Sequence, residues 1–218
     1  MNRKPVARVC RLLAASLLLA AVGACSTLRP GAPPPPSFYS LDGAPGAAPV
    51  AVPAVASPTA PTLIIAPPHA AAGFDSAHIM YVRETHKLEY FAHSDWVDPP
   101  PRMLAPLLVA AIQNSGAFRA VALAPSAAAG DLRLDTEIVR LQHEFLTRPS
   151  RVRFTLRAYL VEDKTRRVLA WREFDAAVPA ASEDPYGGVV AANQAVQTVL
   201  ADLAAFCAAA ARDTRADK

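Results

Sequence analysis

The side chains that most often perform catalysis occur in this 218-residue chain without the spacing that catalysis requires. His143 and Glu144 place a base beside an acid, but neighbouring residues of a strand point to opposite faces, so we expect them not to act together. Gly187-Gly188 is too short for a phosphate-binding loop, and the sequence contains no Gly-x-Ser-x-Gly nucleophile elbow. A metal site needs converging ligands, and no paired spacing links the histidines His69, His78, His86, His93 and His143. We therefore predict no catalytic residue, no metal and no cofactor, in a protein that is not an enzyme.

A row of arginines is the most suggestive feature of the predicted surface. Arg151, Arg153 and Arg157 alternate with apolar residues, so they should share the exposed face of one strand. They can pair there with Asp135 and Glu137 on the neighbouring strand. The pattern favours this ion-paired arrangement, and the alternative is that the row binds an acidic protein surface or lipid headgroups.

The N-terminus carries an export signal. Arg3, Lys4, Arg8 and Arg11 precede an apolar run over residues 12–22. The run is shorter than the roughly 20 apolar residues that cross a bilayer core. A basic segment followed by a short apolar one is typical of a secretory signal peptide rather than of a membrane-spanning helix.

The end of that run, Val22-Gly23-Ala24-Cys25, resembles the lipobox of bacterial lipoproteins. The resemblance implies that Cys25 receives diacylglycerol and an N-linked acyl chain and that residues 1–24 are removed. One myristoyl-type chain binds a membrane with a constant of only about 10⁴ M⁻¹, so three chains should anchor the protein stably. Ser26 stands where an Asp would retain such a lipoprotein in the inner membrane, which implies an outer-membrane lipoprotein facing the periplasm. The alternative is an ordinary secreted protein cut near Ala24.

Charge excludes a nucleic-acid partner. Four of the 22 basic residues lie in the signal peptide, so the mature chain keeps 18 against 19 acidic residues, a net charge of −1. A chain with no basic excess lacks the electrostatic footprint of a nucleic-acid-binding protein. Cys207 is the other cysteine of the mature chain, and its apolar helical surroundings predict a buried small hydrophobic residue rather than a disulfide partner.

The remaining chain divides into three predicted segments. Residues 25–37 hold the lipidated cysteine and a Pro-rich tether, which favours extended polyproline II. Residues 38–211 form the folded domain, within which the Ala/Pro-rich segment 44–61 is predicted to be a disordered loop. Residues 212–218 form a polar tail.

Apolar periodicity within the domain predicts an α+β fold, with a mostly antiparallel sheet packed against two helices. The first helix should follow Asp98 as its cap and end near Gly116, and the second should begin at Asp184 and Pro185. The predicted strands are Phe38–Asp42, Thr62–Ala66, Ile79–Arg83, Leu88–Phe91, Phe118–Leu123, Leu132–Ile138, Arg151–Leu160 and Val168–Phe174.

This order of elements resembles the ABC-type transport auxiliary lipoprotein family. The resemblance rests on the lipobox, the Pro-rich tether and the segments Phe38–Asp42, Leu63–Pro67, Ile79–Arg83 and Ala191–Ala195. It implies an accessory subunit that works with an MCE-domain (mammalian cell entry) protein and an ABC permease to move phospholipid between the two membranes. A homo-oligomer held at one membrane is a further expectation. The alternative function is that of a structural or assembly (pilot-type) envelope lipoprotein unrelated to lipid transport.

Overall fold

The structure is a computed structural model that describes residues 35–42, 57–126 and 129–216. The predicted signal peptide, Cys25, most of the tether and most of segment 44–61 lie outside the described residues. Within the described ranges the chain forms nine strands and two helices. These are β1 (Ser37–Tyr39), β2 (Thr62–Ile65), β3 (His69–Ala70), β4 (His78–Glu84), β5 (Lys87–Trp96), α1 (Pro100–Asn114), β6 (Ala120–Leu123), β7 (Leu132–Glu144), β8 (Arg151–Glu162), β9 (Val168–Pro179) and α2 (Pro185–Ala216).

Strand β7 is the centre of a single mixed sheet. On one side it pairs antiparallel with β8 along its whole length, and β8 pairs in the same way with β9. On the other side it pairs in parallel with β2, β3 and β4 in succession. Strands β6, β5 and β1 then extend the sheet by pairing with β2, β4 and β5 respectively. The predicted α+β class with a mostly antiparallel sheet is confirmed.

Alternation along β7 and β8 separates the two faces of the sheet. The inner face packs against both helices, and its side chains include the fully buried Leu134, Ile138, Phe154 and Leu156. The charged residues between them lie on the opposite, outer face. Because directly paired residues of adjacent strands lie on the same face, this assignment extends across the whole sheet.

The cap predicted for helix α1 at Asp98 is wrong. Its N-cap is Pro99, with no side-chain cap hydrogen bond, and Asp98 instead pairs with Arg102 at 3.4 Å. Prolines fill the first two helical positions, so the N–H groups that a capping carboxylate would bind are partly missing. The first available donor, the N–H of Arg102, bonds to the carbonyl of Pro99.

Helix α2 begins as the sequence predicts. Oδ1 of Asp184 accepts the N–H of Gly187 at 2.7 Å, a bond that holds the pKa of this carboxyl below its ordinary value. By length and composition the segment from Pro185 to Arg212 could cross a membrane. Its apolar face instead packs on the sheet, with Leu203 and Cys207 fully buried. The helix continues to Ala216, beyond residue 211, where the polar tail was expected.

Candidate functional site: the outer face of the sheet

Arg157 lies at the middle of the charged part of the outer face. Its Nη1 is 3.0 Å from Oε2 of Glu137 on β7, and its Nη2 is 3.0 Å from Oε2 of Glu173 on β9. The register explains this arrangement, since Glu137 and Glu173 stand opposite Arg157 on either side of β8. The hydrogen bond to Glu173 raises the pKa of the Arg157 guanidinium above its ordinary value. Arg157 therefore links three strands.

The other two arginines of the row share a carboxylate. Nε of Arg151 lies 3.0 Å from Oε2 of Glu144, and Nε of Arg153 lies 3.4 Å from Oε1 of the same side chain, an ion contact without hydrogen-bond geometry. Nη1 of Arg153 also reaches Asp175 on β9 at 3.3 Å. Each arginine of the row thus already has a carboxylate partner on a neighbouring strand.

The predicted partner Glu137 is confirmed, whereas the predicted partner Asp135 is wrong. Asp135 pairs with Arg133 of its own strand at 2.9 Å. The register places Tyr159, and not an arginine, directly opposite Asp135. The ion-paired interpretation of the row holds, but it takes Glu144, Glu173 and Asp175 rather than Asp135 as the additional acids.

His143 and Glu144 point to opposite faces, as predicted. Glu144 joins the outer ion pairs, while the ring of His143 is 2% exposed on the inner side. Nε2 of His143 lies 2.9 Å from Oγ of Ser150, and the ring packs against Phe145 with centroids 4.1 Å apart. Burial lowers the pKa of His143, and Asp184 and Glu183 oppose that shift only in part.

Gly188 of α2 contacts His143 closely enough to exclude a side chain. A Cβ on Gly188 would lie 2.6 Å from Nδ1 of His143, a buried nitrogen that has no hydrogen-bond partner among the residues that the structure describes. A cavity of about 10 Å³ beside the ring has room for about one water molecule. Its lining includes Ile79, Trp96, Leu141, Val152 and Ala192. The site is a packing contact between the sheet and the helix N-terminus.

The outer face of β1, β5 and β4 differs from the charged part because it carries exposed aromatic and aliphatic side chains. Phe38 stands beside Asp95, which in turn stands beside His78. The ring of His78 stacks on Tyr90 with centroids 4.3 Å apart. We call the residues Phe38, His78, Leu88, Tyr90 and Val97 the β1–β5 patch. Sequence reasoning missed it, because its members are up to 59 residues apart and none belongs to a motif.

The described residues contain no group of three or more His, Cys, Asp or Glu side chains arranged to hold a metal ion. His78 and Asp95 form a pair at 2.9 Å, with the side chain of His78 about half exposed. Burial raises the pKa of the Cys207 thiol to about 12, so it carries almost no thiolate near neutral pH. Cys25, the predicted lipidation site, lies outside the described residues and stays a prediction.

Comparison with known proteins gives a family and a fold. A family model described as ABC-type transport auxiliary lipoprotein component matches residues 39–204. The chain is similar to protein XCC0632 from Xanthomonas campestris, with 23% identity over 82% of this chain and 98% of that one, and a TM-score of 0.69. A second crystal structure, of an uncharacterized protein, has 13% identity over 79% and 99% of the two chains and a TM-score of 0.62. At these identities the similarity establishes a shared fold. No curated protein matches the chain.

Proposed function

Because this chain belongs to the family of ABC-type transport auxiliary lipoprotein components, we propose that it is a non-enzymatic subunit of an MCE-type ABC system. In this proposal an MCE-domain protein and an ABC permease move phospholipid between the inner and outer membranes, and this subunit serves them from the outer membrane. The observation that carries the proposal is the family match, which spans nearly the whole described domain.

The N-terminal sequence supports the part of the proposal that anchors the protein in the outer membrane. The proposal makes residues 1–24 a signal peptide, Cys25 the acylated residue and residues 25–37 the tether of a periplasmic domain over residues 38–211. Ser26 supports the outer membrane because it replaces the aspartate that would favour retention in the inner one.

The chemistry of the outer face is consistent with a role in contact rather than turnover. Its arginines are held by carboxylates of adjacent strands, and it also exposes aromatic and aliphatic side chains. Such a domain acts by docking. Copies held at one membrane gain local concentration, so weak contacts with a partner or with a second copy become effective. A homo-oligomer is therefore part of the proposal.

Genetic interaction tests the proposed partnership. Deleting the gene for this chain should give the same envelope-permeability defect as deleting the gene for its proposed MCE partner, and the double deletion should be no worse. Photo-crosslinkers at the exposed positions Tyr90, Trp171 and Tyr186, placed one at a time in the full-length protein, should capture the MCE protein from at least one position. A crosslinker at the buried Leu203 is the matched control and should capture nothing.

A double deletion clearly more permeable than either single deletion would show that the two proteins act in separate processes. Together with the absence of any crosslink to an MCE protein, that result would overturn the transport proposal. It would favour the structural or assembly lipoprotein instead.

A further inference from the structure

The two halves of the outer face have different chemistry, although they belong to one sheet. On β7, β8 and β9 the face consists largely of cross-strand ion pairs. On β1, β5 and β4 it presents the β1–β5 patch, in which the carboxylate of Asp95 is paired with His78 at 2.9 Å. A sheet face exposed to water is normally polar. The apolar half on β1, β5 and β4 is therefore the half expected to bind a partner.

Three side chains of the patch are more than half exposed. Phe38 is 62% exposed, Val97 59% and Tyr90 54%, and Leu88 adds a further 40%. Single exposed apolar residues are ordinary, but neighbouring ones on one face mark an interaction surface. Phe38 and Tyr90 belong to one row, because Phe38, Asp95 and His78 are paired across three strands and Tyr90 stacks on His78. Leu88 and Val97 lie two positions from Tyr90 and from Asp95, so strand alternation places them on the same face, and the N–H of Val97 continues the pairing by bonding to the carbonyl of Tyr39.

The patch lies where the domain joins its tether. Phe38 is the second residue of β1, and the exposed Pro35 and Pro36 directly precede that strand. Prolines donate no ladder hydrogen bond, and the pairing of β1 with β5 is confined to Ser37, Phe38 and Tyr39. Residues 25–36 number twelve and reach at most roughly 40 Å when fully extended. An acylated Cys25 therefore keeps Phe38 within that distance of a membrane.

From this juxtaposition we propose that the β1–β5 patch rests in the interfacial layer of the membrane that holds the acyl chains of Cys25. Tyrosine and other amphipathic aromatic side chains favour the headgroup level of a bilayer. The carboxylate of Asp95 within the patch already has a hydrogen-bond partner, since its Oδ1 lies 2.9 Å from Nδ1 of His78. The contact need not be strong, because the anchor already supplies a high local concentration of lipid. This inference rests on the lipidation of Cys25 in the proposed function.

The consequence is a defined orientation. A domain that touches the membrane through β1, β5 and β4 holds strand β9 three strands beyond β4 and five beyond β1, at a spacing of about 4.8 Å per strand. Trp171 on β9, which is 62% exposed and stacked on Tyr159, would then remain in the aqueous phase. Trp171 is therefore the matched control, an exposed aromatic residue on the same face and far from the tether.

Spin-label accessibility tests the orientation. Full-length lipidated protein is reconstituted at low protein density into vesicles of phosphatidylethanolamine and phosphatidylglycerol, with a nitroxide on Val97→Cys or on Trp171→Cys. Cys207 is fully buried and should not react. Reconstitution should lower the rate of collisions with an aqueous nickel reagent several-fold at position 97 and raise the rate of collisions with lipid-soluble oxygen there. Neither rate should change at position 171. The double variant Phe38→Ser/Tyr90→Ser should abolish the protection at position 97, whereas Trp171→Ser should leave it intact.

Equal aqueous accessibility at positions 97 and 171 would overturn the proposal. Protection at position 97 that increases with protein density would also overturn it, because the occupant would then be a second copy of the chain. Failure of lipidation is recognised separately, since unacylated protein stays in the aqueous fraction and never enters the vesicles.

Discussion

The contact between Gly188 and His143 makes a sharp prediction about the stability of the domain. Gly188→Ala would place a Cβ 2.6 Å from Nδ1 and 3.2 Å from Cε1 of the ring, and Cβ atoms essentially never come within 3.0 Å of a non-bonded heavy atom. The ring has little freedom to move away, because Nε2 bonds to Ser150 and the face packs on Phe145. Overpacking of this kind costs about 1–3 kcal/mol.

Helix propensity acts in the opposite direction. Alanine is better than glycine inside a helix by about 0.8–1.0 kcal/mol, and Gly188 lies in the first turn of α2. The close approach to the ring places the overpacking cost in the upper part of its range, at about 2–3 kcal/mol. We therefore expect Gly188→Ala to lower the free energy of unfolding by a net amount of about 1–2 kcal/mol. For a domain of this size that is a fall in Tm of roughly 2–8 °C.

A double-mutant cycle with His143→Ala separates packing from propensity. Removing the ring opens the space that the new Cβ needs, so Gly188→Ala in the His143→Ala background should be neutral or stabilising. Urea unfolding followed by circular dichroism measures all four proteins. An increase in stability on Gly188→Ala alone, or the same cost in both backgrounds, would refute the steric reasoning.

Three further predictions concern the core, the buried histidine and the anchor. Phe154→Ala should lower the free energy of unfolding, measured in urea, by about 3–5 kcal/mol, because Phe154 is fully buried. Arg153→Ala should lower it by under about 1 kcal/mol, since Glu144 keeps Arg151 as a partner. The reverse ranking would mean that the two faces of the sheet are misassigned. Burial lowers the pKa of His143 in the folded protein, so below pH 6.5, the ordinary pKa of imidazole, the unfolded chain binds the proton more readily. The contribution of His143 to the free energy of unfolding should therefore be complete above pH 6.5 and should decline below it. His143→Gln should remove that part of the decline in thermal melts from pH 7 to pH 5, and an unchanged slope would contradict the assignment. Cys25→Ala should abolish palmitate labelling and move the protein to the aqueous phase on detergent partitioning. Label retained on that variant would exclude acylation at Cys25. Ser26→Asp should shift the protein to inner-membrane fractions.

Much of the fold follows from local patterns. The alternation in β7 and β8 identified which side chains are buried, because the side-chain period of a strand matches the apolar period of the sequence. Asp184 followed by Pro185 marked the start of α2, since capping needs only residues a few positions apart. The cap predicted at Asp98 failed for a reason equally local, the prolines at the first two positions of α1.

Local patterns do not determine which side chains meet across the sheet. The partner of Arg157 on β7 could be predicted, but its partner on β9 and the shared role of Glu144 depend on strand register. That register includes an irregularity between Ile138 and Arg140, which the alternation does not reveal. A shift of one residue exchanges the faces of a strand, so charge pairing is a property of the assembled sheet.

The sequence alone predicted an export signal with a lipobox-like end, and it determined a Pro-rich segment and a domain whose apolar periodicities suit strands and helices. These features are contiguous, so neighbouring residues suffice to define them. Only the tertiary structure decided that Phe38, His78 and Tyr90 form one exposed surface and that Gly188 closes over His143. The physical reason is that both features need segments far apart in the chain: β1 pairs with β5, and helix α2 packs against β7.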